Sequence, residues 1–400
     1  MDAWLLALCA SRTCLTLVFM TYAATLPVLR GAWDMSATAA GSISTGFQLG
    51  YAVSLLFFSA LADRVGAQRV YLWSAVLSAL SALAFALWAR TYLTGLVLYT
   101  VVALSQGGTY TTGIMLIADR YPPQRRGAAV GWLLASSSLG YALSLAVAGV
   151  ALGHGGYSTV FFAAAVGPVL GVLVSWWALR NTPNAVHTRP AGARFGTAVL
   201  RNRPAVRLML GYTFHSWELL GMWAWTPAFV AASLAMSGMG SLVSVERGAY
   251  VSAAFHVMGI FASTSMGRLS DRLGRRDVLI GVAAIATACS FTFGWLIGLP
   301  AALIFVVGAV YGFTALGDSP VLSTAFTEAV SPAYLGSALA LRSLLGFGAG
   351  AIAPLAFGAV LDLTNAPGLR PATWGWAFVT LGLGGLGATV CAYGLSRRRA

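Results

Sequence analysis

Apolar runs of 18 or more residues recur along the whole of this 400-residue chain, separated by short polar connections. Lipid offers no partner to backbone N–H and C=O groups, so a run of that length crosses a bilayer as a helix that satisfies its own backbone. The runs are continuous rather than alternating, which argues against a membrane β-barrel. Composition agrees: 58% of the residues are hydrophobic and 9% are charged, where a soluble domain carries about 25% charge. The fold class expected is all-α integral membrane, and the 46 glycines suit close helix packing in lipid.

The net charge of +13 does not point to nucleic acid. All 24 basic residues are arginine, and most lie in connections between spans, where they report orientation. Cys9, Cys14, Cys289 and Cys391 fall within apolar runs, with neither metal nor disulfide spacing, and read as small apolar side chains. No cofactor or metal is expected. The N-terminus, Met1-Asp-Ala-Trp-Leu-Leu, has no basic leader region and is expected to open the first span.

Twelve spans are expected, with ends good to a few residues. They run roughly 3–28, 39–60, 69–89, 93–118, 128–151 and 158–179, then 206–235, 248–266, 277–297, 301–326, 336–361 and 374–395. A turn at Gly153-His-Gly-Gly156 separates the fifth from the sixth. The longest polar segment, Arg180 to Arg207, holds Pro183, Pro190, Pro204 and six arginines. It divides the chain into a half at 1–180, a linker at 181–205 and a half at 206–400. Eighteen arginines fall on one side of the membrane and four, Arg30, Arg90, Arg247 and Arg370, on the other. That asymmetry places both termini and the linker in the cytoplasm of a multi-pass inner-membrane protein.

The halves are related. Gly267-Arg-Leu-Ser-Asp271-Arg272-Leu-Gly274-Arg275-Arg276 follows the eighth span, and Ser59-Ala-Leu-Ala-Asp63-Arg64-Val-Gly66-Ala-Gln-Arg69 stands 208 residues earlier, after the second. Independently, Asp119, Pro123 and Gly127 recur as Glu328, Pro332 and Gly336, each 209 residues on. Two landmarks with near-identical offsets imply two six-helix halves of parallel topology, related by a pseudo-two-fold axis along the membrane normal.

On these residues the chain resembles the major facilitator superfamily of secondary transporters. The family's loop signature is Gly-x-x-x-Asp-Arg-x-Gly-Arg-Arg, which the copy at 267–276 matches throughout. The first copy departs from it at Ser59 and at Ala67-Gln68. Asp119, Pro123, Arg126 and Gly127 resemble the family's acid–Pro–Arg-Gly turn. The resemblance implies that Asp63 and Arg64, with Asp271 and Arg272, latch the halves at the cytoplasmic face; their other reading is solvated turns that set topology. A carboxylate there can cap the N-terminus of a neighbouring helix. Asp119, Arg126 and Glu328 are grouped with them as gating or structural charges. The arginine that many proton-linked members carry before a Gln-Gly pair is Ala103 here, ahead of Gln106-Gly107. Gly346, Gly350, Pro354 and Gly358 on the eleventh span read as glycine packing with a proline kink.

Ionisable groups inside spans each cost about 2.5–3.5 kcal/mol to insert and are therefore the best site candidates. Glu218 lies about eleven residues, or roughly 16 Å, into the seventh span, near the midplane. It is the candidate proton carrier, with His215 one turn before it and Trp223 further on. Its other reading is a carboxylate permanently paired to arginine. Arg12 binds an anionic substrate, serves as counter-ion to Glu218, or snorkels to the surface. Asp318 and Arg342 lie at similar depth on consecutive spans, and a structural or gating pair is expected. His256 reads as a hydrogen-bonded core residue or a site residue. Gln106 and Tyr110, from the run Gln106-Gly-Gly-Thr-Tyr110, complete the candidate pathway.

The function expected is secondary active transport of a small organic solute by alternating access. An organic anion is favoured because Arg12 can anchor it, with a proton as coupling ion and the protein a monomer. A drug-type efflux antiporter for hydrophobic or cationic compounds is the alternative, and a transporter-fold receptor ranks below it. No Walker-type loop is present to bind ATP. No nucleophile or metal constellation suggests an enzyme.

Overall fold

The computed structural model describes residues 2–186, 201–330, 335–365 and 372–396. The linker expected at 181–205 lies partly outside them, and Arg397, Arg398 and Arg399 lie wholly outside. Among the described residues, α-helices follow in order: α1 (Ala3–Leu15), α2 (Thr21–Ala32), α3 (Ala37–Val65), α4 (Ala67–Trp88), α5 (Tyr92–Arg120) and α6 (Pro123–Leu179), then α7 (Arg203–Met236), α8 (Ser241–Leu273), α9 (Arg275–Phe293), α10 (Ala301–Ala329), α11 (Leu335–Thr364) and α12 (Gly375–Tyr393). There is no strand among the described residues.

Among the described residues, ten segments are long and apolar enough to cross a membrane. The first, Ala3–Ala32, joins α1 and α2 through a single 3-10 turn at Thr16–Val18. The segment Arg125–Leu179 has 55 residues. At 1.5 Å per residue that is about 80 Å of helix, far more than the roughly 30 Å of hydrocarbon. Its backbone leaves helical geometry at Gly155 and Gly156, where Gly156 takes φ 69°, so α6 has two arms broken within the expected glycine turn. The 33-residue α8 is long enough to cross but more polar, so it falls outside the ten. Ten such segments stand against the expected twelve; the two extra expected spans correspond to the second arm of α6 and to α8.

The chain divides into two compact units. The first holds Met1–Met35, Gly46–Pro190 and Val245–Ala253; the second holds Ser36–Thr45, Ala191–Ser244 and Ala254–Ala400. The first unit packs Leu5, Leu8, Leu15, Tyr71, Ile117 and Leu133 into its core. The second packs Leu208, Met209, Leu279, Val321, Leu322 and Phe326. Large apolar side chains also lie exposed, among them Phe57, Leu80, Trp88, Leu173 and Val390, as lipid-facing positions must.

The repeated turn has the same backbone in both units. Gly66 takes φ 94°, ψ 145° and Gly274 takes φ 91°, ψ 143°. Only glycine enters that region freely, so each copy of the motif stops one helix and starts the next within a single residue. On α11, a β-carbon at Gly350 would meet the Ser216 carbonyl oxygen of α7 at 2.6 Å, and one at Gly346 would strike the Tyr212 ring. The glycine run therefore lets α11 lie against α7 at backbone contact, as the packing reading expects.

Candidate functional site

Arg12 is 1% exposed within the first unit. Its Nε donates to Ser137 Oγ on α6 at 2.9 Å, Nη1 to Thr109 Oγ1 on α5 at 2.6 Å, and Nη2 to the Tyr51 hydroxyl on α3 at 3.4 Å. The Tyr110 ring lies 5.5 Å from the guanidinium carbon. Phe19 packs against both Tyr51 and Tyr141, with centroids 5.4 and 4.7 Å away. Among the described residues of this unit, no carboxylate forms an ion pair with the guanidinium. The arrangement is a buried cation held by neutral hydroxyls and aromatic faces, each of which stabilises it without cancelling its charge. The snorkelling reading does not apply to a side chain this buried. Nearby, Gln106 donates to the Leu15 carbonyl at 2.8 Å, and its Oε1 is buried without a partner.

The second unit gathers the acids. His215 Nδ1 lies 2.9 Å from Asp318 Oδ2, and His215 Nε2 lies 2.9 Å from Ser319 Oγ. Glu218 stands one turn along α7 from His215, 3% exposed. The Ser290 and Tyr311 hydroxyls, themselves 2.7 Å apart, face the Glu218 carboxyl. Glu218 Oε1 and Asp318 Oδ1 are both buried without a hydrogen-bond partner. Two carboxyls and one imidazole thus share a buried cluster that, among the described residues of its unit, has no arginine ion pair. Among the described residues of its own unit, no arginine pairs with Glu218.

The expected pair of Asp318 with Arg342 is also not formed. Asp318 takes His215 instead. Arg342 lies over the Tyr212 ring at 4.1 Å and donates to Ser323 Oγ at 3.3 Å. Depth along neighbouring helices left the rotation of each side chain about its axis undetermined, and the imidazole of α7 occupies the place assigned to the guanidinium. Trp223 and His256 come together, with ring centroids 5.4 Å apart.

At the repeated turns, Arg275 binds Asp271 at 2.5 Å and Glu328 at 3.0 Å, tying the end of α8 to the end of α10. Asp271 therefore pairs with an arginine one turn on and caps no helix here. Asp63 and Arg64 occupy the last turn of α3, Asp119 lies in the last turn of α5, and Arg272 closes α8. Arg126 Nη2 donates to the Ala118 and Tyr121 carbonyls at 2.7 and 3.4 Å, satisfying the C-terminal end of α5. The capping carboxylate is one that sequence reasoning missed. Asp362, near the end of α11, accepts from the Ala37 and Thr38 amides at 2.8 and 2.7 Å and from the Thr38 hydroxyl at 2.6 Å. Tyr51, Thr109 and Ser137 were missed as Arg12 partners. The only signal for them was a hydroxyl in an apolar span, which many positions share.

Two helical units with buried charges at mid-span define a polytopic membrane transporter. The sequence model of the Major Facilitator Superfamily matches residues 8–250, and the chain belongs to that family of secondary transporters. An uncharacterised transporter YgaY of Escherichia coli O157:H7 is 32% identical over 213 residues. Those residues are 50% of this chain and 51% of that protein, so the chain matches about half of that relative's length. A gallate transporter of Pseudomonas putida is 26% identical over 367 residues, covering 84% of this chain and 80% of its own. A cis,cis-muconate transport protein of Acinetobacter baylyi is 23% identical over 353 residues, covering 86% and 83%. A crystal structure of the nucleoside transporter NupG superposes with a TM-score of 0.74 at 14% identity, covering 99% of this chain and 100% of that one. That likeness speaks for the fold alone.

Proposed function

We propose that this chain carries a small organic anion across the inner membrane by alternating access, coupled to protons, with both termini cytoplasmic. The observation that carries this reading is Arg12, a buried guanidinium with hydroxyl and aromatic neighbours and no carboxylate partner in its unit. A buried cation is costly unless an anion compensates it. The guanidinium fork matches a carboxylate in two parallel hydrogen bonds. The phenol faces of Tyr51, Tyr110 and Tyr141 suit a flat, unsaturated or aromatic body behind that carboxylate. The relatives named for gallate and cis,cis-muconate support the same class of solute.

Protons are taken up by the Glu218–Asp318–His215 cluster. Both acids keep a buried oxygen without a hydrogen-bond partner, and a carboxyl within a span is a group that can change charge during a cycle.

The test is a thermal-stability screen on purified protein with gallate, cis,cis-muconate and cationic dyes as probes, at two pH values. A ligand at 100 times its Kd adds about 2.7 kcal/mol. Stabilisation by an organic acid that disappears in Arg12→Met supports the reading. Stabilisation confined to cations and dependent on Glu218 replaces it with a drug-type exporter. In vesicles, Glu218→Gln is expected to abolish uphill accumulation driven by a pH gradient while sparing exchange of substrate for substrate.

A further inference from the structure

Resting on the proton-coupled reading, we propose that Asp318 exchanges its proton with water through the interior of the α7–α9–α10–α12 bundle, by a cavity whose lining runs from Asp318 to Arg207 and Leu395.

The cavity lies wholly within the second unit. Arg207 and Gly211 of α7, Ala283 of α9, and Ala388 and Cys391 of α12 line it, and Asp318 of α10 stands among them. Its free volume is about 10 Å³, room for one water molecule. Arg207 begins the wall where α7 enters, and its guanidinium is bound to the Gly394 carbonyl where α12 leaves. The carboxylate among its lining residues is the one whose Oδ1 is buried without a partner. The other oxygen is held by His215, and His215 in turn by Ser319. A hydronium that reaches Oδ1 gives up one proton and leaves as water, and the reverse step empties the site. Its wall mixes small residues, Gly211, Ala283, Ala388 and Cys391, with Leu208, Leu279 and Leu322, so what controls passage is width.

The groups that face Asp318 are His215, Glu218 and Tyr212 from α7, Arg342 through Tyr212 from α11, and Arg207 and Cys391 along the cavity. From α9 it meets apolar Leu279 and Ala283. None of these offers Oδ1 a hydrogen bond, so water is the donor it lacks. The route differs from the Arg12 site in kind: it is narrow and mostly apolar, suited to protons and closed to an organic anion.

The structure supplies its own plug. A β-carbon at Gly211 would sit 3.4 Å from Cys391 Cβ and 3.7 Å from Leu322 Cδ2, ordinary contacts inside the cavity wall. Gly211→Ala therefore narrows the passage without disturbing the helices, and Ala388→Val narrows it from the facing wall. The measurement is infrared difference spectroscopy of the whole protein in lipid during a jump into heavy water. The Asp318 carboxyl band is assigned by its loss in Asp318→Asn, or by its displacement in Asp318→Glu if the asparagine variant does not fold. The expected result is a several-fold slower exchange of that band in both narrowed variants. Gly281→Ala, where a β-carbon meets nothing within 4 Å, is expected to exchange at the parent rate. An unchanged rate in both narrowed variants overturns the route. Gallate uptake by the same variants, with and without a protonophore, is read separately. Uptake indifferent to the pH gradient would refute proton coupling, while the exchange rates still decide the path.

Discussion

Replacing Arg12 with methionine is expected to separate binding from folding. The substitution removes a buried charge whose insertion costs about 2.5–3.5 kcal/mol. It also removes three hydrogen bonds, to Ser137, Thr109 and Tyr51, each worth about 1.5–3 kcal/mol to a charged donor. The loss is partly offset, because the freed hydroxyls are not all orphaned. Thr109 still donates to the Gln106 carbonyl at 2.8 Å and Ser137 to that of Leu133 at 3.4 Å. Methionine also fills much of the arginine stem's volume. These terms leave a net change of about 1–3 kcal/mol in stability. An organic acid loses more, because truncating one partner of a buried charge pair costs about 2–5 kcal/mol. That is roughly a 30- to 5,000-fold weaker Kd. Melting in detergent reads the first quantity and calorimetric titration with gallate the second. Unchanged gallate affinity, in a variant that melts near the parent, would refute the assignment of Arg12 to the anion. So would recovery of affinity in a second variant that keeps the fold but lacks the positive charge.

Three further outcomes are expected. Gly350→Ala should destabilise the second unit by about 1–3 kcal/mol, because the new methyl meets the Ser216 carbonyl and backbone must move; Gly348→Ala, with nothing within 4 Å, should melt like the parent. Asp362→Ala removes three acceptor contacts at the start of α3 and should cost about 0.5–2 kcal/mol, with faster hydrogen exchange at the Ala37 and Thr38 amides; full protection there would refute the cap. Asp2 accepts from the Leu5 amide at 2.9 Å and from the Tyr121 hydroxyl at 2.8 Å, and the Leu5 bond foremost holds its pKa below the ordinary 3.8. A depressed carboxyl contributes stability above its unfolded pKa and loses it as pH falls through the folded one, so protection of the Leu5 amide should drop in that acid window, and Asp2→Asn should flatten the profile.

Much of this architecture was readable from residue order. Length and apolarity decide a membrane span locally, since each helix closes its own backbone hydrogen bonds. The expected spans accordingly fall on α1 through α12, with the break in α6 at the glycines that announced it. The repeated turn was legible for the same reason: Gly66 and Gly274 sit in one conformation that few other residues enter. Arg12, Glu218, His215 and Asp318 stood out because a charge within an apolar run is rare and costly.

What tertiary structure decided was partnership. A span with lipid on one side and protein on the other is apolar around most of its circumference, so its sequence carries little sign of which way a side chain turns. That is why Asp318 was expected with Arg342 and is held by His215, 103 residues away. It is also why the hydroxyls around Arg12 arrive unannounced from α3, α5 and α6, and why the capping carboxylate is Asp362. Sequence alone placed charged residues within apolar runs. Rotation and packing of the helices chose which group answers each one, because electrostatic compensation depends on a few ångströms across the bundle rather than on position along the chain.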